Sequence, residues 1–184
     1  GFAVEGFVLA SILMHIIGLL GALGLAGAAL LITTLFGPAQ VLSRVTNMVF
    51  GTRLRQTHLG IIAAALPPLG VLVLATTAPS VAGGVVFAVL FGLGSGLTSI
   101  VSGSLPLELF GPERYGGRLG QLSSARQVAS AIAPFLLAVV MGASGTHIAL
   151  WVVVGLGAVA VLAFSTVALL PAAAVVRSID HEAA

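Results

Sequence analysis

Three long stretches of this chain, residues 6–43, 56–107 and 127–176, contain no Asp, Glu, Lys or Arg. They run for 38, 52 and 50 residues. Crossing ~30 Å of hydrocarbon at 1.5 Å per residue takes about 20 apolar residues, so each stretch accommodates two crossings, and the two longer ones are too short for three with turns. Turn-forming residues fall near the middle of each: Gly21, Gly24 and Gly27 in the first, Thr76 to Ser80 followed by Gly83 and Gly84 in the second, and Gly142 to His147 in the third. The expected fold is therefore an all-α membrane protein of six transmembrane helices forming a single transmembrane domain, with spans at about 4–20, 25–50, 59–75, 81–105, 119–141 and 148–170. A β-barrel is excluded because the apolar runs are continuous rather than alternating.

Composition agrees. Hydrophobic residues make up 59% of the 184 and charged ones 7%, against roughly 25% charged in a soluble domain. The chain has no Cys and no Lys, which removes disulfides, thiolate metal sites and a P-loop lysine. His15, His58, His147 and His181 lie on different elements, so no metal site and no cofactor is expected. Seven Arg against five acids give a net charge of +2, too little for nucleic-acid binding. If every uncharged stretch goes out and returns, Arg44, Arg53, Arg55, Arg114, Arg118, Arg126 and Arg177 share one side, which the positive-inside rule assigns to the cytoplasm together with both ends of the segment. The start shows no initiator Met and no basic leader, and it carries Glu5, so a cleaved signal peptide is not expected and the segment reads as beginning inside a longer protein.

Polar groups inside a bilayer are costly, roughly 2.5–3.5 kcal/mol for an Arg at a helix centre, so each needs a reason. His15 lies midway along the first span, either as a neutral imidazole bonded to a neighbouring helix or as a protonatable group on a central pathway. Gln40 and Arg44, four apart, share one face of the second helix behind Pro38, which can kink it; Arg44 either snorkels to the headgroups or lines a cavity. In the fifth helix, Ser123, Arg126, Gln127 and Ser130 form one stripe near Gln121, and that stripe is expected to face the bundle interior. Ser95, Thr98 and Ser102 make a milder stripe in the fourth helix beside Gly92, Gly94 and Gly96, where close packing is the favoured explanation. Glu5 and Glu108 are expected near the arginine-side ends of their helices, in the headgroup region or paired with an arginine as a gate; Arg53, Arg55, Arg114 and Arg118 are the loop cations available.

The loop running from Arg44 to Arg55, a glycine followed by arginines, and the segment from Leu105 to Gly120 resemble one half of a major facilitator superfamily transporter. The resemblance covers the whole chain and implies the C-terminal six-helix half of a twelve-helix bacterial efflux-type permease, each half being a three-plus-three inverted repeat. Asn47 stands where the superfamily's loop usually carries an acid. The resemblance implies a secondary carrier moving a small-molecule substrate by alternating access with proton coupling. Its implied partners are the lipid bilayer, the other six-helix half and protons, and its implied location is the bacterial inner membrane. Two other classes compete. A six-helix channel or structural subunit needs the same spans. An intramembrane enzyme is disfavoured, because Leu93-Gly94-Ser95-Gly96 lacks the first glycine of an intramembrane serine protease motif and no paired Asp occurs.

Overall fold

The computed structural model describes residues 1–50, 55–112 and 115–169. Arg53, Arg114 and Arg177 lie outside the described residues. The elements are α1 (Phe2–Ala22), a 3₁₀ turn (Ala26–Ala28), α2 (Ala29–Thr34), α3 (Phe36–Phe50), α4 (Gln56–Thr77), α5 (Val81–Phe110), α6 (Tyr115–Ser144) and α7 (Thr146–Leu169). The turn, α2 and most of α3 make one continuous apolar stretch, so six helices are long and apolar enough to cross a membrane. Among the described residues there is no strand.

The six expected spans are present, each longer or shorter than expected by a few residues. Helices continue past the apolar region until the backbone itself stops them. α1 ends before Gly24 at φ +78°, α5 before Gly111 at φ +69° and α6 before Gly145 at φ +85°, a left-handed conformation that only glycine adopts without a Cβ penalty. The connection between the fourth and fifth expected spans shrinks accordingly, because α5 runs through Phe110 and α6 starts at Tyr115. The break between α2 and α3 falls where Pro38 dictates: proline has no N–H to give the Thr34 carbonyl four residues back, and its ring collides with that carbonyl. Leu35 N–H bonds instead to Ile32 O at 3.3 Å.

Two apolar cores stack along the bundle. One joins α1, α2, α4, α5 and α7 around Ile12, Leu20, Ile32, Leu74 and Leu150, and within it Phe36, Phe87 and Phe91 pack with centroids 5.5–5.6 Å apart. The other, nearer the arginine-bearing end, centres on Leu59, Val101, Leu105 and Phe164, with Phe2 edge-on to Phe164 at 5.0 Å. Outside these cores the surface stays apolar: Met14 and Leu30 are 75% exposed and Phe135 is 69% exposed. Leaving such side chains in water forgoes about 1.5–3 kcal/mol each, so the outward faces call for a hydrocarbon solvent.

Non-sequential pairings define the topology. α1 packs along α6, α3 along α5 and α4 along α7. Exchanging the first three spans for the last three turns the α1–α6 pairing into α5–α3 and maps α4–α7 onto itself. α6 is the least buried helix, with Ala133 and Leu137 its fully buried residues, so one side of the unit stays open.

Candidate functional site

The site starts from a close approach of backbones. Gly92 faces Phe36 and Ala39, and Gly96 faces Gln40 and Ser43, so that an added Cβ at either would collide with them. With α3 and α5 this close, two polar bonds form between them in one register. Gln40 Nε2 donates to Ser95 Oγ at 3.2 Å and Arg44 Nη2 donates to Ser99 Oγ at 3.2 Å, each pair 55 residues apart. A constant offset means parallel helices, the arrangement expected for the second and fourth of six alternating crossings. The packing role expected for Gly92 and Gly96 and a polar role for the serines beside them thus hold together. Arg44 is exposed, and its guanidinium reaches along α5 to Ser99.

A second close approach sits on the opposite side of α5. Gly6 of α1 lies against Arg126 and Ser130 of α6, where a Cβ would stand 2.7 Å from Arg126 Cγ and 2.8 Å from Ser130 Oγ. The adjacent Glu5 is 3% exposed and accepts a hydrogen bond from Thr98 Oγ1, itself fully buried. Glu5 stands in the first turn of α1, as expected, but buried rather than out among headgroups: its partner Thr98 lies twelve residues in from the end of α5 at Phe110, about 18 Å along the helix axis. Neighbouring helices are displaced along their axes, and depth follows the register between them, not position within one helix.

Between these two contacts lies a cleft of about 280 Å³, lined by Ser99 and Ser102 of α5 and Ser123 and Arg126 of α6, with Phe2 and Leu122 as apolar walls. It brings together Arg126, Ser123 and, through its bond to Ser99, Arg44. The stripe on α6 is divided. Arg126 and Ser130 turn to α1, Ser123 borders the cleft, and Gln121 and Gln127 are exposed on the open side. The expectation that the whole stripe faces the interior of this bundle is thus corrected, because α6 packs along α1 by one edge.

The remaining sequence-predicted residues stand apart from the cleft. His15 is half-buried, with Nδ1 3.1 Å from the Ser11 carbonyl of its own helix, so its bond is within α1 rather than to a neighbour. Glu108 Oε2 accepts from the backbone N–H of Gln56 at 3.0 Å, and Ser104 Oγ donates to Gln56 Oε1 at 2.7 Å. Glu108 therefore caps α4, where an anion meets the unpaired N–H groups and the positive end of the helix dipole. Glu108→Ala is expected to lower stability by about 1 kcal/mol, the usual worth of a cap, read as a small drop in the unfolding temperature of the purified protein. Arg55 is exposed just before α4, and Arg118 is half-buried in the first turns of α6. Asn47, in the position that the transporter resemblance would fill with an acid, has its Oδ1 buried without a hydrogen-bond partner.

Ser99 is the residue that stripe reasoning passes over, because Ser95, Thr98 and Ser102 fit a helical period without it. The signal was the matched spacing: Gln40 and Arg44 on one helix, Ser95 and Ser99 on another, both four apart. Tyr115, whose hydroxyl donates to the Gly103 carbonyl at 3.0 Å, also escapes the pattern because one tyrosine has no period. Compared with protein-family models, curated proteins and solved structures, the chain finds no match.

Proposed function

We propose that this six-helix unit is one half of a secondary carrier of the major facilitator type, moving a small solute by rocking against a second six-helix half. The observation that carries the reading is the cleft: a cation and three hydroxyls gathered at depth on the open side of an otherwise apolar bundle. Facing lipid, such a surface is costly, so it belongs against water or a partner. The pairing pattern, which maps onto itself when the first and last three spans are exchanged, supports an inverted repeat, since three crossings reverse the direction of the second set. The arginine-bearing end is the cytoplasmic one by the positive-inside rule, with the inner membrane of a bacterium as the location. The segment's partner is the other half of a longer chain.

A chain without Cys suits a direct test. Ser99→Cys and Ser102→Cys are introduced separately into the full chain, any cysteines elsewhere being removed, and labelled from either side with a membrane-impermeant thiol reagent. An alternating-access carrier exposes each cysteine to both sides in turn, with rates that shift when a transported solute is added. Labelling confined to one side under every condition would favour a structural subunit and remove the carrier reading.

A further inference from the structure

Two arginines on different helices come together around one serine at the edge of the cleft. Ser99 lies eleven residues in from the end of α5 at Phe110, about 16 Å along the helix axis, and is exposed on the open side of the unit. Arg44 reaches it from α3, with Nη2 3.2 Å from its Oγ. Arg126 approaches from α6 and borders the same cleft, where Ser102 and Ser123 complete a polar rim. The remaining wall is apolar, formed by Phe2, Leu119 and Leu122.

The acids among the described residues are engaged elsewhere. Glu5 accepts from Thr98 and feels Arg126 only through the longer-range field, while Glu108 accepts from the Gln56 N–H at the start of α4. Arg44 donates to a neutral hydroxyl, and among the described residues neither Arg44 nor Arg126 forms an ion pair. A guanidinium is a rigid planar fork of N–H donors, and one carboxylate fills one fork in bidentate fashion. Two forks on different helices, sharing a serine and no acid, call for two carboxylates. The apolar wall suits a hydrocarbon linker between them, and a tetrahedral oxyanion such as phosphate has nothing to place against it.

We infer that the cleft binds a short aliphatic dicarboxylate, one carboxylate held by Arg126 and the other by Arg44, with the serine hydroxyls between them. This names the solute class of the carrier reading and rests on that reading. Ser99 and Ser102 each donate to a carbonyl of their own helix at 3.1 Å, and rotation about one bond turns either hydrogen to an acceptor in the cleft. Charge and size then set the specificity. A monocarboxylate leaves one guanidinium without its anion, a cation meets two like charges, and a cleft of about 280 Å³ favours a short linker.

The test uses the full chain, purified in nonionic detergent and also reconstituted in phosphatidylcholine vesicles. Malonate is the probe, acetate its one-carboxylate counterpart and choline the cationic control, near neutral pH where both malonate carboxyls are ionised. In calorimetric titration malonate should bind about 10–100-fold tighter than acetate, the contribution of one further charged hydrogen-bonded pair. Arg44→Gln and Arg126→Gln should each bring malonate down to the affinity of acetate. Arg44→Lys and Arg126→Lys keep the charge without the fork and should retain part of the preference, a grading that a purely structural role would not produce. Unfolding temperatures separate loss of folding from loss of ligand, and the lysine variants carry the test if a glutamine variant does not fold. Vesicles loaded with malonate should exchange it for external malonate. Equal binding of acetate and malonate by the wild type, tighter binding of choline, or a preference unchanged in both glutamine variants would each overturn the inference. So would an anionic lipid that co-purifies at the arginines and that malonate does not displace. Arginine-dependent malonate binding without exchange would leave the dicarboxylate site standing and sink the carrier reading, whereas two-sided labelling of Ser99→Cys without malonate binding would do the reverse.

Discussion

Gly96→Val is expected to cost the bundle about 3 kcal/mol or more and to separate α3 from α5. Even the first added carbon meets the Ser43 hydroxyl and lies 2.6 Å from the Gln40 carbonyl oxygen and 3.0 Å from Gln40 Cα. The backbone atoms belong to the facing helix and cannot swing aside, so the helices must part. Overpacking in a close-fitted interior typically costs about 1–3 kcal/mol, and two branched methyls on a helix-to-helix contact put this case at the upper end. Parting α3 from α5 also removes the Gln40–Ser95 and Arg44–Ser99 bonds. For a chain of this size about 3 kcal/mol corresponds to a fall of about 6–12 °C in unfolding temperature. Thermal unfolding of the detergent-purified protein by circular dichroism checks it. Gly155→Ala, where nothing lies within 4 Å, serves as the control and should unfold with the wild type. Equal unfolding temperatures for all three proteins would mean that the α3–α5 contact does not hold the fold.

On the carrier reading, Arg126→Ala should reduce solute transport by about 10–100-fold while the protein still inserts and unfolds near the wild-type temperature. A hydrogen bond to a charged group contributes about 1.5–3 kcal/mol, and each 1.4 kcal/mol is a factor of ten. The stability effect is smaller because Arg126 is half-exposed at the cleft and touches α1 chiefly through its aliphatic stem against Gly6. Arg126→Lys keeps the charge but not the planar fork of donors and should fall between the two. Initial uptake rates in vesicles, normalised to inserted protein, provide the measurement. Val159→Ala on the outward face of α7, where the side chain is 52% exposed, should transport as the wild type does. Undiminished transport by Arg126→Ala would remove the cleft from the pathway. His15→Ala gives a useful contrast: its imidazole bonds within its own helix, so the geometry assigns it a smaller effect than a central pathway residue would have.

Much of this protein was legible in one dimension. Three uncharged blocks, each with turn residues at its middle, set six helices, and Gly24 and Gly145 mark two of the turns by the φ values that only glycine tolerates. Pro38 announced the break between α2 and α3. The polar groups were legible as candidates and not as a site. Gln40, Arg44 and Arg126 were recognisable because a charged or amide side chain in an apolar run is an anomaly wherever it sits, and Ser123 because it shares a stripe with Arg126. Ser99 was legible only through its four-residue spacing from Ser95, which matches that of Gln40 and Arg44. Glu5 was legible as an acid in a helix's first turn, but not as buried, because its burial depends on Thr98 of α5.

What the sequence determines here by itself is solvent demand along the chain: how many crossings, where they turn, and which end carries the arginines. These follow from local chemistry, because a residue's transfer free energy and its φ preference need no neighbour from elsewhere in the chain. Which polar groups meet is decided by the tertiary structure alone. The axial register between helices, set by Gly6, Gly92 and Gly96 allowing backbones to touch at particular heights, puts Glu5 opposite Thr98 and Arg126 at the mouth of a cleft. Van der Waals contact between helices far apart in sequence fixes that register, and hydropathy holds no record of it.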